Sequence, residues 1–521
     1  MTVRVRPRDL KLPDYMTRGG PGDLSMPGNV NTAEWWRPEH MSLLGQKKAA
    51  EKGSIVEQAK SKEIFYCSIP FTQLYNEIDG RFQACCFAQP HKNATIKNTT
   101  LKDWMFKGPY MNVLREEMTT PLKEQKEPLK FVKRFCKRCV TDEEKYGRSR
   151  RTNCLKIHTN NHTFWDDIEH ISDRFRKTGE YKLDRRVLEI QLKIYGSECN
   201  LDCFMCLHSN STTRMKVAEG GVWNNQIWQK ETSGLVAQET NESKSKLKLV
   251  GEKLKKVLED NTPGSIEQIL ELAPFTRSIK IIGGEPLIMK KQYEMLQALI
   301  DSGDSKEIII KFQTNMTKMA RGKHNIFKYI PHFKLITMVA SVDGIGKTIE
   351  YMRRRTEWPE LVDNIERVKK YPNAVVDFNG LVSFLSVMRF YEVVDWCMNN
   401  PVIDQINWAM LENPKHFSVH NLPKKIKDDL IIKYAKLPDI VAALEKKPDP
   451  DVNIQDTFQY LLQQDRYYKG TKWESHLFDV FPELEEFYDP NYKSPDEIDR
   501  RMQTELKKGI EKAYEIPDLL T

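Results

Sequence analysis

Three observations predict an α/β fold on parallel strands, a partial (β/α)6 TIM-like barrel between a cysteine-rich N-terminal region and a helical C-terminal one. Strand-like apolar runs alternate with helical runs from Arg185 to about residue 412, the pattern of βαβ units. Six such strand runs occur, at 187–195, 277–282, 307–313, 334–342, 375–384 and 402–410, and six suit a partial barrel whose open side admits a large substrate. The residues richest in chemistry directly follow the first four runs: three cysteines, then Gly283-Gly284-Glu285-Pro286, Gln313-Thr314-Asn315 and Ser341-Val342-Asp343-Gly344. Ligand sites in such folds collect at the carboxyl ends of the strands.

Composition bounds the function classes. At 521 residues the chain has room for roughly three domains, and 40% hydrophobic residues with 10 tryptophans exclude a disordered chain. No apolar stretch approaches membrane-spanning length, and the start, Met1-Thr2-Val3-Arg4-Val5-Arg6-Pro7, lacks the apolar core of a signal peptide. A cytoplasmic protein is therefore expected. Ten cysteines in a reducing compartment point to metal or redox chemistry rather than to disulfides. The net charge of +8 is a small excess of 81 basic over 73 acidic residues and names no partner.

Taken in order, residues 1–60 form an extended arm punctuated by Pro7, Pro13, Pro21, Pro27 and Gly19, Gly20 and Gly22, with Trp35-Trp36 packing on the body. Residues 61–160 hold Cys67, Cys85, Cys86, Cys136, Cys139 and Cys154. Asn76-Glu77-Ile78-Asp79-Gly80 reads as a hairpin turn, whose two strands bring Cys67 and Cys85 to one open end. The Cys136-x2-Cys139 pair lets two thiolates reach one metal or cluster. Four ligands then converge: Cys67, Cys85 or Cys86, Cys136 and Cys139. Such a closed set serves structure or electron transfer, and spacing alone allows zinc as readily as a cluster; Cys154 is an extra ligand or a spare buried thiol. Basic residues from Lys123 to Lys156 outnumber acidic ones there. That stripe is read as a solvated face offsetting cluster-bound thiolates, with nucleic acid or an acidic peptide as the other reading.

Between 180 and 412 lies the barrel core. Besides the strands, 247–258 has helical spacing, and Ser265-Ile266-Glu267-Gln268 reads as a capping box opening a helix. Residues 413–521 read as helical and charged, with Pro438 in a first turn and 457–462 at helical spacing. This region caps the barrel or holds substrate.

Chemistry enters with Cys199, Cys203 and Cys206, spaced C-x3-C-x2-C just after the first strand. Structural zinc and a fully protein-held cubane cluster each take four protein ligands, so three leave one coordination position open. The glycines at 283 and 284 let backbone approach a ligand closely, and Glu285 beside them can accept hydrogen bonds from an ammonium group. Arg353 carries a planar fork suited to a carboxylate, although Arg354 and Arg355 beside it also fit a solvated basic turn.

These motifs resemble the radical S-adenosylmethionine (SAM) superfamily. The three-cysteine loop is similar to that family's SAM-binding [4Fe–4S] loop, and Gly283-Gly284-Glu285-Pro286 to its motif for the SAM amino group. Thr314-Asn315 resembles a turn that relatives place near SAM. Ser341-Val342-Asp343-Gly344 matches a Ser-x-Asp-Gly signature of the SPASM/twitch subgroup, and Tyr351-Met352-Arg353 and Trp358 continue the likeness. Cys67-x2-Pro70-Phe71, Asp79-Gly80, Cys85, Leu101-Lys102-Asp103-Trp104 and Cys136-x2-Cys139 resemble a twitch domain, which holds one auxiliary [4Fe–4S] cluster. Here that module precedes the barrel instead of following it. Met205 stands where many relatives have an aromatic residue, and Leu207-His208-Ser209-Asn210 departs from the common sequel; a hydrogen-bonding role is favoured for His208.

The resemblance implies an enzyme. It reductively cleaves SAM to a 5′-deoxyadenosyl radical and takes hydrogen from a substrate. Its cofactors are SAM, a SAM-binding cluster on Cys199, Cys203 and Cys206, and an auxiliary [4Fe–4S] cluster. Gly283, Gly284, Glu285, Asn315, Ser341, Asp343 and Arg353 are the implied SAM-contacting residues. A peptide or protein is the implied substrate and a flavodoxin or ferredoxin the implied electron donor. RNA as substrate, and a non-catalytic zinc-stabilised binding protein, are the competing readings.

Overall fold

The computed structural model describes residues 53–76, 80–91, 94–96, 98–147, 149–160, 162–193, 196–206, 210–219 and 264–493. The arm before residue 53, Trp35-Trp36, the turn residues Glu77 to Asp79, His208 and the helix expected at 247–258 lie outside the described residues.

The strands in chain order are β1 (Gln73–Asn76), β2 (Phe82–Gln83), β3 (Leu188–Leu192), β4 (Asp202–Cys203), β5 (Thr276–Ile281), β6 (Ile309–Thr314), β7 (Ala320–Arg321), β8 (His324–Asn325), β9 (Leu335–Ser341), β10 (Arg353–Arg354), β11 (Ala374–Val382) and β12 (Gln405–Met410). Eight of them form one sheet in the order β12-β11-β9-β6-β5-β3-β1-β2. The six strands from β3 to β12 are parallel and lie in chain order, as the six apolar runs predict. Strands β12 and β2 end the sheet, so it is not closed on itself through these strands.

The cysteine-rich region is joined to this sheet. Strand β1 pairs in parallel with β3, Leu74 opposite Ile190, and β2 returns antiparallel with Tyr75 opposite Gln83. The predicted hairpin thus exists and extends the parallel sheet by two strands.

Alternation along each strand gives the sheet two unlike faces. Leu188, Ile190, Ile279, Ile281, Ile310, Phe312, Ile336, Met338, Val376, Phe378 and Ile406 are buried on one side. Helices pack there: Phe378 stacks on Trp396 at 5.3 Å, and a Cβ on Gly380 would meet the Phe390 ring at 2.5 Å. On the other side the same strands carry Glu189, Gln191, Ser278, Lys280, Lys311, Gln313, Thr337, Ser341, Asp377, Asn379, Gln405 and Asn407. A sheet sandwiched between helices would be apolar on both faces. A polar face on parallel strands suits the lining of a ligand-filled interior.

Two local expectations are corrected or sharpened. The helix Ser265–Leu272 has Gly264 at φ 69° as its N-cap, one residue before the serine expected to open it. The C-terminal region is helical as expected, with Lys424–Lys433, Pro438–Leu444 and Ile454–Tyr468, and Pro438 does occupy a first turn. Among the described residues no helix is long and apolar enough to cross a membrane.

Candidate functional site

The loop carrying Cys199, Cys203 and Cys206 is held from three directions. Its β4 segment pairs with β10, Cys203 opposite Arg353 and Asp202 opposite Arg354. Asp202 and Arg214 form an ion pair at 2.6 Å with both side chains fully buried. Tyr468 of the C-terminal helix donates its hydroxyl to Asp202 at 3.0 Å, and Tyr460 donates to the Phe204 carbonyl at 3.3 Å. The C-terminal helix therefore packs on the cysteine loop through Tyr460 and Tyr468.

Strand alternation sorts the arginine run after Asp343. Arg353 donates to Asp343 through Nε and Nη2, each at 2.7 Å, and its Nη1 stands 3.7 Å from the Cys203 Sγ. Arg354 points the opposite way, 1% exposed, into an ion pair with Asp465 and the Trp473 and Ser475 carbonyls. The run is thus no solvated turn at these two positions. Asp343 is committed on its other oxygen as well, accepting from the Leu381 amide at 2.7 Å.

The glycine pair fits directly against the cysteine loop. Gly283 and Gly284 have φ of 99° and 43°, and a Cβ on Gly284 would collide with the Glu198 carbonyl oxygen. The Glu285 amide donates to that same carbonyl at 2.7 Å. Glycine is required there for both conformation and closeness.

The Glu285 side chain faces inward rather than toward open space. At 1% exposure it accepts from Thr314 Oγ1 at 2.7 Å, the Asn315 amide at 2.7 Å and the Leu287 amide at 3.1 Å. Burial pushes its carboxyl up to about 7 against the pull of these bonds. Glu285 thus ties the ends of β5 and β6 together. Asn315 completes the frame, donating to Asn200 of the cysteine loop at 3.0 Å and accepting from Thr317 at 2.8 and 3.0 Å. Ser341 accepts from Gln313 at 3.1 Å. All the residues expected near SAM gather at one end of the sheet, although Glu285, Asp343 and Arg353 spend most of their hydrogen-bonding groups on protein.

The second thiol group surrounds a cavity. Cys67, Cys85, Cys136 and Cys139 line it together with Phe65, Ile69, Phe87 and Arg151, and it is partly open to solvent. Cys67 precedes the hairpin and Cys85 follows it, while Cys136 and Cys139 open the helix Lys137–Tyr146. Cys86 and Cys154 are not among the lining residues. Burial, then the neighbouring thiols, push Cys67 and Cys85 well up, and burial followed by Cys139 pushes Cys136 up to about 12.

Burial and Cys203 likewise push Cys199 up to about 12, and burial pushes Cys203 up to about 11 with Arg353 pulling against it. Among the described residues no three His, Cys, Asp or Glu side chains converge closely enough to hold one metal ion.

The basic stripe divides. Lys130, Lys133, Arg134, Lys137 and Arg138 are exposed, whereas Arg150 is 3% exposed and Arg151 lines the thiol cavity and pairs with Glu143. Sequence reasoning missed the structural roles of Asp202, Arg214, Asp465 and Tyr468, which lie far apart in the chain. A buried arginine opposite a buried aspartate has no local pattern to betray it.

No protein-family model matches the chain, and no curated protein does. Among solved structures it is similar to Streptococcus suis SuiB bound to its precursor peptide SuiA, at 14% identity over 72% of this chain and 68% of that one, with a TM-score of 0.29. SuiB bound to S-adenosylmethionine matches at 14% identity over 71% and 68%, with a TM-score of 0.28. Likeness at this level identifies neither family nor function.

Proposed function

We propose that the chain is a radical SAM enzyme that modifies a peptide or protein, with Cys199, Cys203 and Cys206 holding the SAM-binding cluster and Cys67, Cys85, Cys136 and Cys139 an auxiliary one. One observation carries the reading: the three-cysteine loop is joined to the Gly283-Gly284-Glu285 and Thr314-Asn315 strand ends by direct hydrogen bonds, beside a polar sheet face. Three thiols at that end leave one position for a ligand, and four around one cavity leave none.

Four thiols lining one cavity suit a cubane cluster or a tetrahedral zinc ion alike, and the cluster reading of this second set follows from that of the first. Arg353 near Cys203, and Arg151 in the cavity wall, supply positive charge beside thiolates.

Bound together, the cluster and SAM would supply a 5′-deoxyadenosyl radical by reductive cleavage of the S–C5′ bond. The chain's own part is enclosure and orientation. Gly283 and Gly284 let the end of β5 close directly against the cysteine loop, Asn315 and Ser341 offer polar groups at the strand ends, and Arg353 with Asp343 holds charge beside Cys203. The helix Ile454–Tyr468 packs on the loop through Tyr460 and Tyr468, and shielding of this kind helps to control reactive species. A low-potential donor of the flavodoxin or ferredoxin type would feed the site.

The test is iron and sulfide analysis of anaerobically purified protein with electron paramagnetic resonance of the reduced form. About eight irons per chain are expected for two four-iron clusters, with one signal that changes on adding SAM. Zinc in place of iron, or a signal indifferent to SAM, would remove this reading.

A further inference from the structure

Two consecutive arginines open the helix Arg150–Asn160 beside the thiol cavity, and their surroundings differ. Arg151 is committed: its Nε donates to Glu143 at 2.8 Å and its Nη1 to the Tyr66 carbonyl at 2.9 Å. Ser149 Oγ donates to the same Glu143 carboxylate at 2.6 Å. Arg150 is left out of that arrangement. It is 3% exposed, and its Nε and Nη1 have no hydrogen-bond partner among the described residues. A guanidinium keeps its charge at any ordinary pH, so burial does not neutralise it. A buried charge of this kind needs an opposite one.

The groups around Arg150 are rich in sulfur. The Phe87 ring lies 5.6 Å from the guanidinium carbon, and the Phe87 amide donates to Cys85 Sγ at 3.4 Å. Cys154 stands four residues on along the helix of Arg150, on the same face. Burial works against the charge of Arg150, and the thiols of Cys86, Cys154, Cys85 and Cys139 outweigh it, so that its pKa is raised. Sulfur answers a cation fully only as thiolate, and a cysteine that holds a metal is a thiolate. Lys133, Arg134, Lys137 and Arg138 on the neighbouring helices are exposed and screened by solvent. Arg150 is not.

We propose that Arg150 is the buried counter-charge of the four-thiol site, supplying positive charge to its metal-bound sulfurs and raising the reduction potential of the cluster held there. The proposal deepens the reading of Cys67, Cys85, Cys136 and Cys139 as ligands of an auxiliary cluster and rests on it. Such a cluster gains negative charge on reduction, and a cation fixed beside it in a poorly solvated site favours the reduced form. Arg150 acts through the cluster and is a positioning residue, not one that meets substrate.

A redox titration of the full-length, anaerobically iron-loaded protein tests this, followed by electron paramagnetic resonance at the signal that SAM leaves unchanged. R150M should move the midpoint potential of that signal to a more negative value, and R150K should hold it near the wild-type value, because lysine keeps the charge. The SAM-responsive signal should keep its midpoint in both. If R150M loses the auxiliary iron, R150Q reads the same shift with a neutral side chain that still donates hydrogen bonds. An unmoved midpoint in the neutral variants, an equal shift in R150K, or a matching shift of the SAM-responsive signal would overturn the proposal and leave Arg150 as packing on Phe87. Absence of any iron signal indifferent to SAM would instead remove the auxiliary-cluster reading, and this proposal with it.

Discussion

The two cysteine groups are built in opposite ways. Cys199, Cys203 and Cys206 lie on a loop at the ends of parallel strands, braced by the buried Asp202–Arg214 ion pair and by the hydrogen bond that Tyr468 gives to Asp202. Cys67, Cys85, Cys136 and Cys139 line a cavity between a hairpin and helices close to it in sequence. The first arrangement uses distant parts of the chain to hold three thiols, and the second is framed by more local elements. On the proposed reading, the set with one ligand too few has the external frame, and the four-thiol set is framed by its own region.

The sharpest break between the groups comes from removing each in turn. Cys199→Ala, Cys203→Ala and Cys206→Ala together should abolish SAM cleavage and remove about four irons, leaving the auxiliary iron in place, as elemental analysis would record. Loss of all iron would mean the two sets are not separate. Cys85→Ser should remove the auxiliary iron and Cys86→Ser retain it, because only Cys85 lines the cavity.

Next in size is the frame. Arg214→Met leaves Asp202 buried and unpaired, which costs about 3–5 kcal/mol; a fall in denaturation midpoint is expected, with part of it recovered in Arg214→Met/Asp202→Leu. An unchanged midpoint would show that the loop does not depend on this pair.

The smallest effect is a pH dependence. Glu285 has its folded pKa raised from 4.5 to about 7, by burial first. The folded form keeps its proton to higher pH than the unfolded chain. Its contribution to stability is thus complete below about 4.5 and declines through pH 7, by on the order of 3 kcal/mol. Glu285→Gln should flatten that part of the stability profile, and an identical slope in the variant would count against the buried carboxyl.

The parallel strands were legible because each carries a long enough apolar run between turn signals, and the order of β3 to β12 in the sheet follows the chain. The parallel pairing of β1 with β3 was not, since Leu74 and Ile190 are brought together only by the tertiary fold. The thiol cavity was legible from the hairpin turn and the Cys136-x2-Cys139 spacing, both local. The inward direction of Glu285 was hidden: a carboxylate after two glycines looks the same in sequence whether it meets a ligand or the Thr314 hydroxyl. Ser265 misled for a similar reason, as Gly264 with positive φ already starts the helix.

The central claim, that three thiols at the strand ends hold a cluster with one position free for SAM, is met most directly by anaerobic reconstitution with iron, sulfide, dithionite and SAM, followed by chromatography for 5′-deoxyadenosine. The account predicts 5′-deoxyadenosine and methionine in equal amounts from the wild-type protein and none from the triple-alanine variant. Iron-loaded protein that leaves SAM intact, or a variant that still cleaves it, would contradict it.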